Sequence, residues 1–159
     1  MERLLNHRLL WWVEHNGILS PFQSGFRKGR SCSDNIGSLV ATADTGYQTN
    51  KYTAAVFLDI NSAFDNVQWH ILLQQLHQLR ITGNLTRFIS NWMQERQVQF
   101  IGNSNLEKNH RNYTIHKGLS QEGVLSPLLF NLYVHSIMSN VPCDIKITQY
   151  AWCSAYSGK

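Results

Sequence analysis

Residues 54–65 have the sequence AAVFLDINSAFD, and this stretch decides which fold we expect. Its first five residues are all apolar, as in a central strand covered on both faces, and we predict such a strand over residues 54–60. Asp59 ends the apolar run, and a buried carboxylate there needs a cation such as Mg²⁺ to balance its charge. An aspartate that caps the turn after the strand explains the pattern equally well, so both interpretations stay open.

Helical patterns flank this strand on both sides. Apolar residues recur at helical spacing over residues 2–15, and Gly17 is the expected stop. Ser33 is the expected cap of a second helix, whose apolar stripe consists of Ile36, Val40, Ala43 and Tyr47. Further amphipathic helices are predicted around residues 69–76 and 85–92. We expect Asp65 to cap the first of these, because about 20 Å of extended chain separates it from Asp59.

The later part of the chain predicts more strands and one buried helix. Residues 97–103 and 112–117 alternate loosely and are expected to pair. Ser126 at the cap and Pro127 after it predict a helix over residues 126–139 that is apolar nearly all round. Residues 145–150 alternate like a strand. This order of elements favours an α+β fold over a repeating βαβ unit.

Composition limits the classes of function. The 159 residues are 43% hydrophobic and 15% charged, with a net charge of +4, which suits one domain or a piece of one and excludes a charged disordered tail. No apolar run reaches the ~18 residues of a membrane span, so we expect no membrane partner. The scattered cysteines and histidines predict neither disulfides nor zinc, and they favour an intracellular location, nucleus or cytoplasm.

Four segments stand out as candidates for chemistry: QSGFRKGRS (23–31), FLDINSAFD (57–65), GLSQEGVLSPLLFNLYV (118–134) and ITQYA (147–151). Taken singly, each also suits a surface turn, a strand end or a plain connection. In this order and spacing they resemble the reverse transcriptase domain of non-LTR retrotransposons, in particular jockey-like insect elements.

The resemblance implies an RNA-directed DNA polymerase with the right-hand polymerase fold. Residues 1–50 would be partial fingers, and residues 51–159 a truncated palm with an antiparallel sheet packed by helices and no thumb. The expected partners are an RNA template, a DNA primer and deoxynucleotides. The expected cofactor is Mg²⁺ or Mn²⁺, as a pair of ions that activates the primer 3′-hydroxyl and stabilises the leaving pyrophosphate.

The resemblance also assigns roles to single residues. Asp59 matches the catalytic aspartate that is the first metal ligand, with the Ile60 carbonyl beside it. Phe64 matches the aromatic residue that excludes a ribose 2′-hydroxyl, and Gln121 matches the glutamine that contacts nucleotide or template. The basic residues Arg27, Lys28 and Arg30 lie in the fingers segment that handles nucleic acid.

The chain departs from the family where the metal ligands should be. The family has Tyr-Ala-Asp-Asp, but this chain has Tyr150-Ala151-Trp152-Cys153, so both partner aspartates are absent. Glu122 replaces a usual glycine and would repel a triphosphate. We therefore expect impaired metal binding and no polymerisation, and we attribute the change to a deletion of two codons or to an error in the gene model. The alternatives are a non-catalytic nucleic-acid-binding remnant and a non-functional relic without a stable fold.

Overall fold

The computed structural model describes residues 1–94, 96–100, 111–136 and 145–150. Its elements in chain order are α1 (Glu2–His15), α2 (Cys32–Gln48), α3 (Trp69–Gln78), α4 (Asn84–Met93), β1 (Gln97–Phe100), β2 (Arg111–Thr114) and α5 (Ser126–Val134). The α+β class is confirmed at this level. None of the helices within these ranges is long and apolar enough to span a membrane.

Helix α5 is at the centre of the core, as its sequence predicts. Seven of its nine residues are buried, and α3 packs against both α5 and α4. The apolar positions of α1, α3 and α4 that recur at helical spacing complete the same cluster: Leu9, Val13, Leu72, Leu76, Ile89 and Met93. The core therefore joins α1, at the start of the chain, to α3, α4 and residues 119–134.

The N-caps of two helices differ from the prediction by one or two residues. Helix α5 also ends at Val134, whereas the prediction extended it to residue 139; residues 137–139 lie outside the described ranges. Helix α2 starts after Ser31 and not Ser33, because the backbone N–H of Ser31 donates to the Asp34 carboxylate at 2.6 Å. That pair forms a capping box, which needs an acid or amide three residues after the cap. Helix α5 starts after Leu125, whose carbonyl accepts from the N–H of Leu129 at 3.0 Å, so Ser126 is its first helical residue.

The predicted pairing of the later strands is confirmed over four residues each. Strands β1 and β2 are antiparallel, with Gln97 opposite Thr114 and Val98 opposite Tyr113. Residues 115–117, the last part of the second predicted strand, are not part of this sheet. Residues 101–103 of the first predicted strand lie outside the described ranges. Asn103-Ser104-Asn105, a sequence typical of a turn between these strands, lies outside the described ranges.

The prediction of a central strand over residues 54–60 is wrong for this structure. Residues 51–60 form no helix or strand, and all of them are exposed, including Val56 at 83% and Phe57 at 79%. A strand needs a neighbour for its N–H and C=O groups. The expected neighbour, residues 145–150, instead forms a single parallel bridge between Gln149 and Gln23. The predicted antiparallel palm sheet is therefore not found among the described residues.

The apolar stripe of α2 is also uncovered. No residue of α2 is buried, and Ile36, Val40 and Tyr47 are 58%, 52% and 85% exposed. The spacing predicted the helix correctly, but no other described element packs on this face of it.

Candidate functional site

Asp59 lies in the exposed segment before the turn at residues 61–66, and its carboxylate has no partner among the described residues. Ile60 beside it is 39% exposed. No group of three or more His, Cys, Asp or Glu that could hold a metal ion occurs in the described ranges. One hydrated carboxylate and a backbone carbonyl do not supply the bridging and flanking oxygens that a pair of divalent ions needs, so these donors do not fit a two-metal centre. We expected Asp59 to face Tyr150 and Ala151 of the last predicted strand. The described residues end at Tyr150, so Ala151 and the positions of the absent aspartates, Trp152 and Cys153, lie outside them.

Phe64 anchors the turn after Asp59 to the core. Its ring stacks on Phe130 of α5, with centroids 4.9 Å apart and planes inclined by 29°. Its carbonyl accepts from the N–H of Leu119 at 2.9 Å, and the Val67 carbonyl accepts from Gly118 at 2.7 Å. The loop at residues 118–119 is thus held beside residues 64–67.

Gln121 is exposed, and its side-chain amide donates to both carboxylate oxygens of Asp65, at 3.3 and 3.5 Å. The predicted cap by Asp65 is therefore wrong: α3 begins after Gln68, three residues later, and the Asp65 carboxylate turns to Gln121 instead. Glu122 is exposed next to this pair. Phe64 and Gln121 are therefore close together, because Gln121 is hydrogen-bonded to Asp65, the residue after Phe64.

Gly118 starts the loop that carries Gln121, and its backbone conformation requires glycine. Its φ is +86°, and a Cβ there would lie 2.8 Å from the Asp65 carbonyl oxygen. The Gly118 carbonyl accepts from the Trp69 indole at 2.7 Å and from the Arg96 guanidinium. That guanidinium lies 5.7 Å from the Trp69 ring and 5.9 Å from the Trp92 ring, and burial lowers the pKa of Arg96. Sequence reasoning missed this cluster, since only the aromatic positions on α3 and α4 signalled it.

The three residues of the predicted basic cluster differ in whether their side chains are hydrogen-bonded within the protein. Arg27 donates from Nε and Nη2 to Glu14 at 2.8 and 2.6 Å, and from Nη1 to the Ser20 carbonyl at 2.8 Å. These hydrogen bonds hold the pKa of Glu14 below its ordinary value of 4.5. Arg30 donates to the Pro21 carbonyl. Lys28 is exposed and has no partner among the described residues.

A buried amide pair fixes the segment 23–31 on α5. Gln23 and Asn131 are 2% and 1% exposed, and the Gln23 amide donates to the Asn131 side-chain oxygen at 2.5 Å. The Asn131 amide in turn donates to the Gly25 carbonyl at 2.9 Å. Sequence reasoning missed this role for Asn131, although a lone amide in an otherwise apolar helix needs a buried partner.

The family model and the individual relatives that match this chain all carry the description of an RNA-directed or RNA-dependent DNA polymerase. The family model described as reverse transcriptase (RNA-dependent DNA polymerase) matches residues 1–151. The chain is 31% identical over 136 residues to the Drosophila melanogaster protein named "Probable RNA-directed DNA polymerase from transposon X-element", covering 86% of this chain and 14% of that protein. It is 28% identical over 159 residues to the RNA-directed DNA polymerase from mobile element jockey of the same species, covering 95% and 17%. The chain spans less than a fifth of these relatives, and no solved structure matches it.

Proposed function

Because the chain belongs to the reverse transcriptase (RNA-dependent DNA polymerase) family, we propose that it is the fingers and palm segment of a non-LTR retrotransposon polymerase and is inactive in DNA synthesis as written. Residues 1–50 are assigned to the fingers and residues 51–159 to the palm. The partners of the active relatives' domain would be an RNA template, a DNA primer and deoxynucleotides.

The observation that carries the inactivity is the donor set around Asp59. Its carboxylate is exposed and has no acidic neighbour that completes a cluster within the described ranges. The sequence places an indole and a thiol, at Trp152 and Cys153, where the family has carboxylates. An indole does not ligate metal ions, and a thiol is a soft donor unsuited to Mg²⁺. Mg²⁺ or Mn²⁺ would therefore bind weakly.

The other site residues keep their proposed roles in nucleotide handling. Phe64 is fixed by its stack on Phe130, which supports a steric role against a 2′-hydroxyl. Gln121 is positioned by Asp65, beside the repelling charge of Glu122. Arg27 is occupied by Glu14 and by loop carbonyls, so it positions the fingers loop. Lys28 remains for phosphate contacts, and Arg30, which donates from Nη1 to the Pro21 carbonyl, has further N–H groups for the same role.

A primer-extension assay tests the proposal, with the native chain, the native chain with Asp59→Asn, a variant with Asp-Asp inserted between Ala151 and Trp152, and that variant with Asp59→Asn. We expect no extension by the native chain and tighter Mn²⁺ binding after the insertion, which Asp59→Asn then weakens. DNA synthesis by the native chain that Asp59→Asn abolishes would overturn the proposal. An Asp-Asp pair in the transcript across Tyr150 would show that the chain as written is a gene-model error.

The exposed ammonium group of Lys28 favours one alternative, a non-catalytic nucleic-acid-binding remnant. Salt-dependent RNA binding without nucleotide incorporation supports that alternative. Absence of a cooperative melting transition supports a relic without a stable fold.

A further inference from the structure

A groove of about 490 Å³ lies between α1 and the connection from α3 to α4, away from the segments described above. The lining residues that are withdrawn from solvent are all apolar or aromatic, and they form the floor of the groove: Leu9 and Ile81 are buried, and Leu85 and Trp12 are half-buried. The volume is in the range of ligand-binding clefts. Such a floor favours a ligand that buries carbon atoms against it.

The exposed rim of the same groove is basic. Arg8 of α1 and Arg80 after α3 contribute guanidinium groups, and neither has a hydrogen-bond or ion-pair partner in the part of the chain that the structure describes. No Asp or Glu occurs among the described residues that line the groove. The two charges are therefore not neutralised by the described protein around them, and they are complementary to an anionic partner.

Trp11 places a large aromatic side chain at the same rim. Its indole stacks on His15 with centroids 4.9 Å apart and planes inclined by 9°, yet the residue is 62% exposed. Leu4 and Arg8 precede it at the spacing of one helical face, and Leu4 is 56% exposed. This face continues the groove for about 10 Å along α1. Exposed tryptophan and arginine side chains around an apolar centre are typical of sites that bind proteins.

We infer that this groove binds an acidic amphipathic helix of a partner protein, with a leucine or phenylalanine side chain on the floor and carboxylates at Arg8 and Arg80. Such a helix offers apolar side chains every three or four residues, which suits both the floor and the face of α1 from Leu4 to Trp11. A nucleic acid suits the rim but not the floor, because the polar atoms of its sugars and bases would lose water against an apolar surface. The inference goes beyond the proposed function and does not depend on metal ions or on Asp59.

The test is fluorescence anisotropy of three labelled helical peptides with the full chain. The first consists of leucine, alanine and glutamate with the leucines on one face. The second has the same composition with the leucines dispersed around the helix, and the third has lysine in place of glutamate. The first peptide should bind about tenfold more tightly than either of the others. Equal binding of the first two would mean that charge alone attracts the peptides, and it would overturn the inference.

A charge reversal locates the peptide at the groove. Arg8→Glu together with Arg80→Glu should reverse the preference, so that the lysine peptide binds about tenfold more tightly than the first peptide. Lys51→Glu together with Arg87→Glu is the matched control: it changes the net charge equally at positions that do not line the groove, and the preference should stay as in the native chain. All four side chains are exposed, so both variants should melt like the native chain.

Removing the indole tests the apolar part of the contact. Trp11→Ala should weaken binding of the first peptide about tenfold, whereas Tyr47→Ala, which removes an 85% exposed aromatic residue from α2, should change it less than about twofold. The inference is overturned if Tyr47→Ala costs as much affinity as Trp11→Ala, if the charge reversal leaves the preference for glutamate, or if its control shifts the preference as far. A single-stranded RNA that displaces the first peptide from the native chain would assign the groove to nucleic acid and overturn the inference as well.

Discussion

At the scale of single residues, the segments shared with the family are held by polar side chains that contact backbone. The Arg96 guanidinium and the Trp69 indole converge on one carbonyl, that of Gly118, and thereby fix the start of the loop that carries Gln121. The Arg96 guanidinium makes a charge-assisted hydrogen bond to this carbonyl and also contacts the rings of Trp69 and Trp92. Arg96 therefore matters more to the loop than its partial exposure suggests.

Replacing Arg96 tests this role. Arg96→Ala should lower the free energy of unfolding by about 2 kcal/mol, because it removes one charge-assisted hydrogen bond and two cation–π contacts. Arg96→Lys should retain part of this, since a single ammonium cannot serve the carbonyl and both rings equally. Urea denaturation measures both changes. Equal stability of the alanine variant would mean that the Trp69 indole alone holds the loop.

The Glu14–Arg27 pair predicts a dependence on pH. The pKa of Glu14 is lowered below 4.5, so its stabilisation is complete above that pH and is lost as the pH falls through the lower folded-state value. Glu14→Gln should therefore lower the free energy of unfolding near neutral pH, by no more than about 1 kcal/mol because the pair is partly exposed. The difference should shrink as the pH falls below 4.5 and vanish once the Glu14 carboxyl is protonated in the folded state. In an Arg27→Leu background the same substitution should have little effect at any pH.

At the scale of elements, the helices were predictable because their signals are local. Apolar spacing and the capping residues lie within each helix or next to it, so α1, α3, α4 and α5 were located from sequence within two residues at their N-terminal ends. The segment 54–60 was not, because a strand is defined by its neighbour. Its apolar composition predicts burial, but the structure pairs residue 149 with residue 23.

The packing of α5 makes a prediction for its central side chain. Phe130 is 1% exposed and stacks on Phe64, so Phe130→Ala should destabilise the fold by about 3–5 kcal/mol. Ile36→Ala on α2 is the control, since Ile36 is 58% exposed and should change stability by less than about 0.5 kcal/mol. Thermal melting compares the two. Similar losses would mean that α2 is covered in solution.

Gly17, which follows α1, and Gly118, which starts the loop that carries Gln121, allow a second comparison between elements. Gly17 and Gly118 both have positive φ, but a Cβ at Gly17 meets open space, whereas one at Gly118 meets the backbone of Asp65. Gly17→Ala should therefore lower the free energy of unfolding by about 1 kcal/mol, from backbone strain alone. Gly118→Ala should cost clearly more and should also disturb the loop that carries Gln121. Equal costs, measured by urea denaturation, would mean that the loop moves freely away from residue 65.

At the scale of the whole molecule, a well-packed core adjoins two uncovered apolar surfaces. The core draws on α1, α3, α4 and α5, while α2 and residues 54–60 present large apolar side chains to solvent. The candidate site follows the same division. Phe64 is held by its stack on Phe130 in the core, and Gln121 by the Asp65 carboxylate next to it; both positions match motifs that can be recognised in sequence. The environment of Asp59 depends on chain neighbours that sequence patterns do not identify.

The exposed apolar run at residues 54–60 should cause self-association. Its unpaired backbone N–H and C=O groups are a template for strand pairing between chains. Phe57→Lys should reduce the concentration-dependent light scattering of the native chain. It should leave the melting temperature unchanged, since Phe57 is 79% exposed and stabilises nothing in the core. Gln78→Lys adds the same charge at the exposed end of α3 and is the control for net charge. An equal reduction by both variants would attribute the effect to charge alone, and a fall in melting temperature with Phe57→Lys would mean that residues 54–60 are packed in solution.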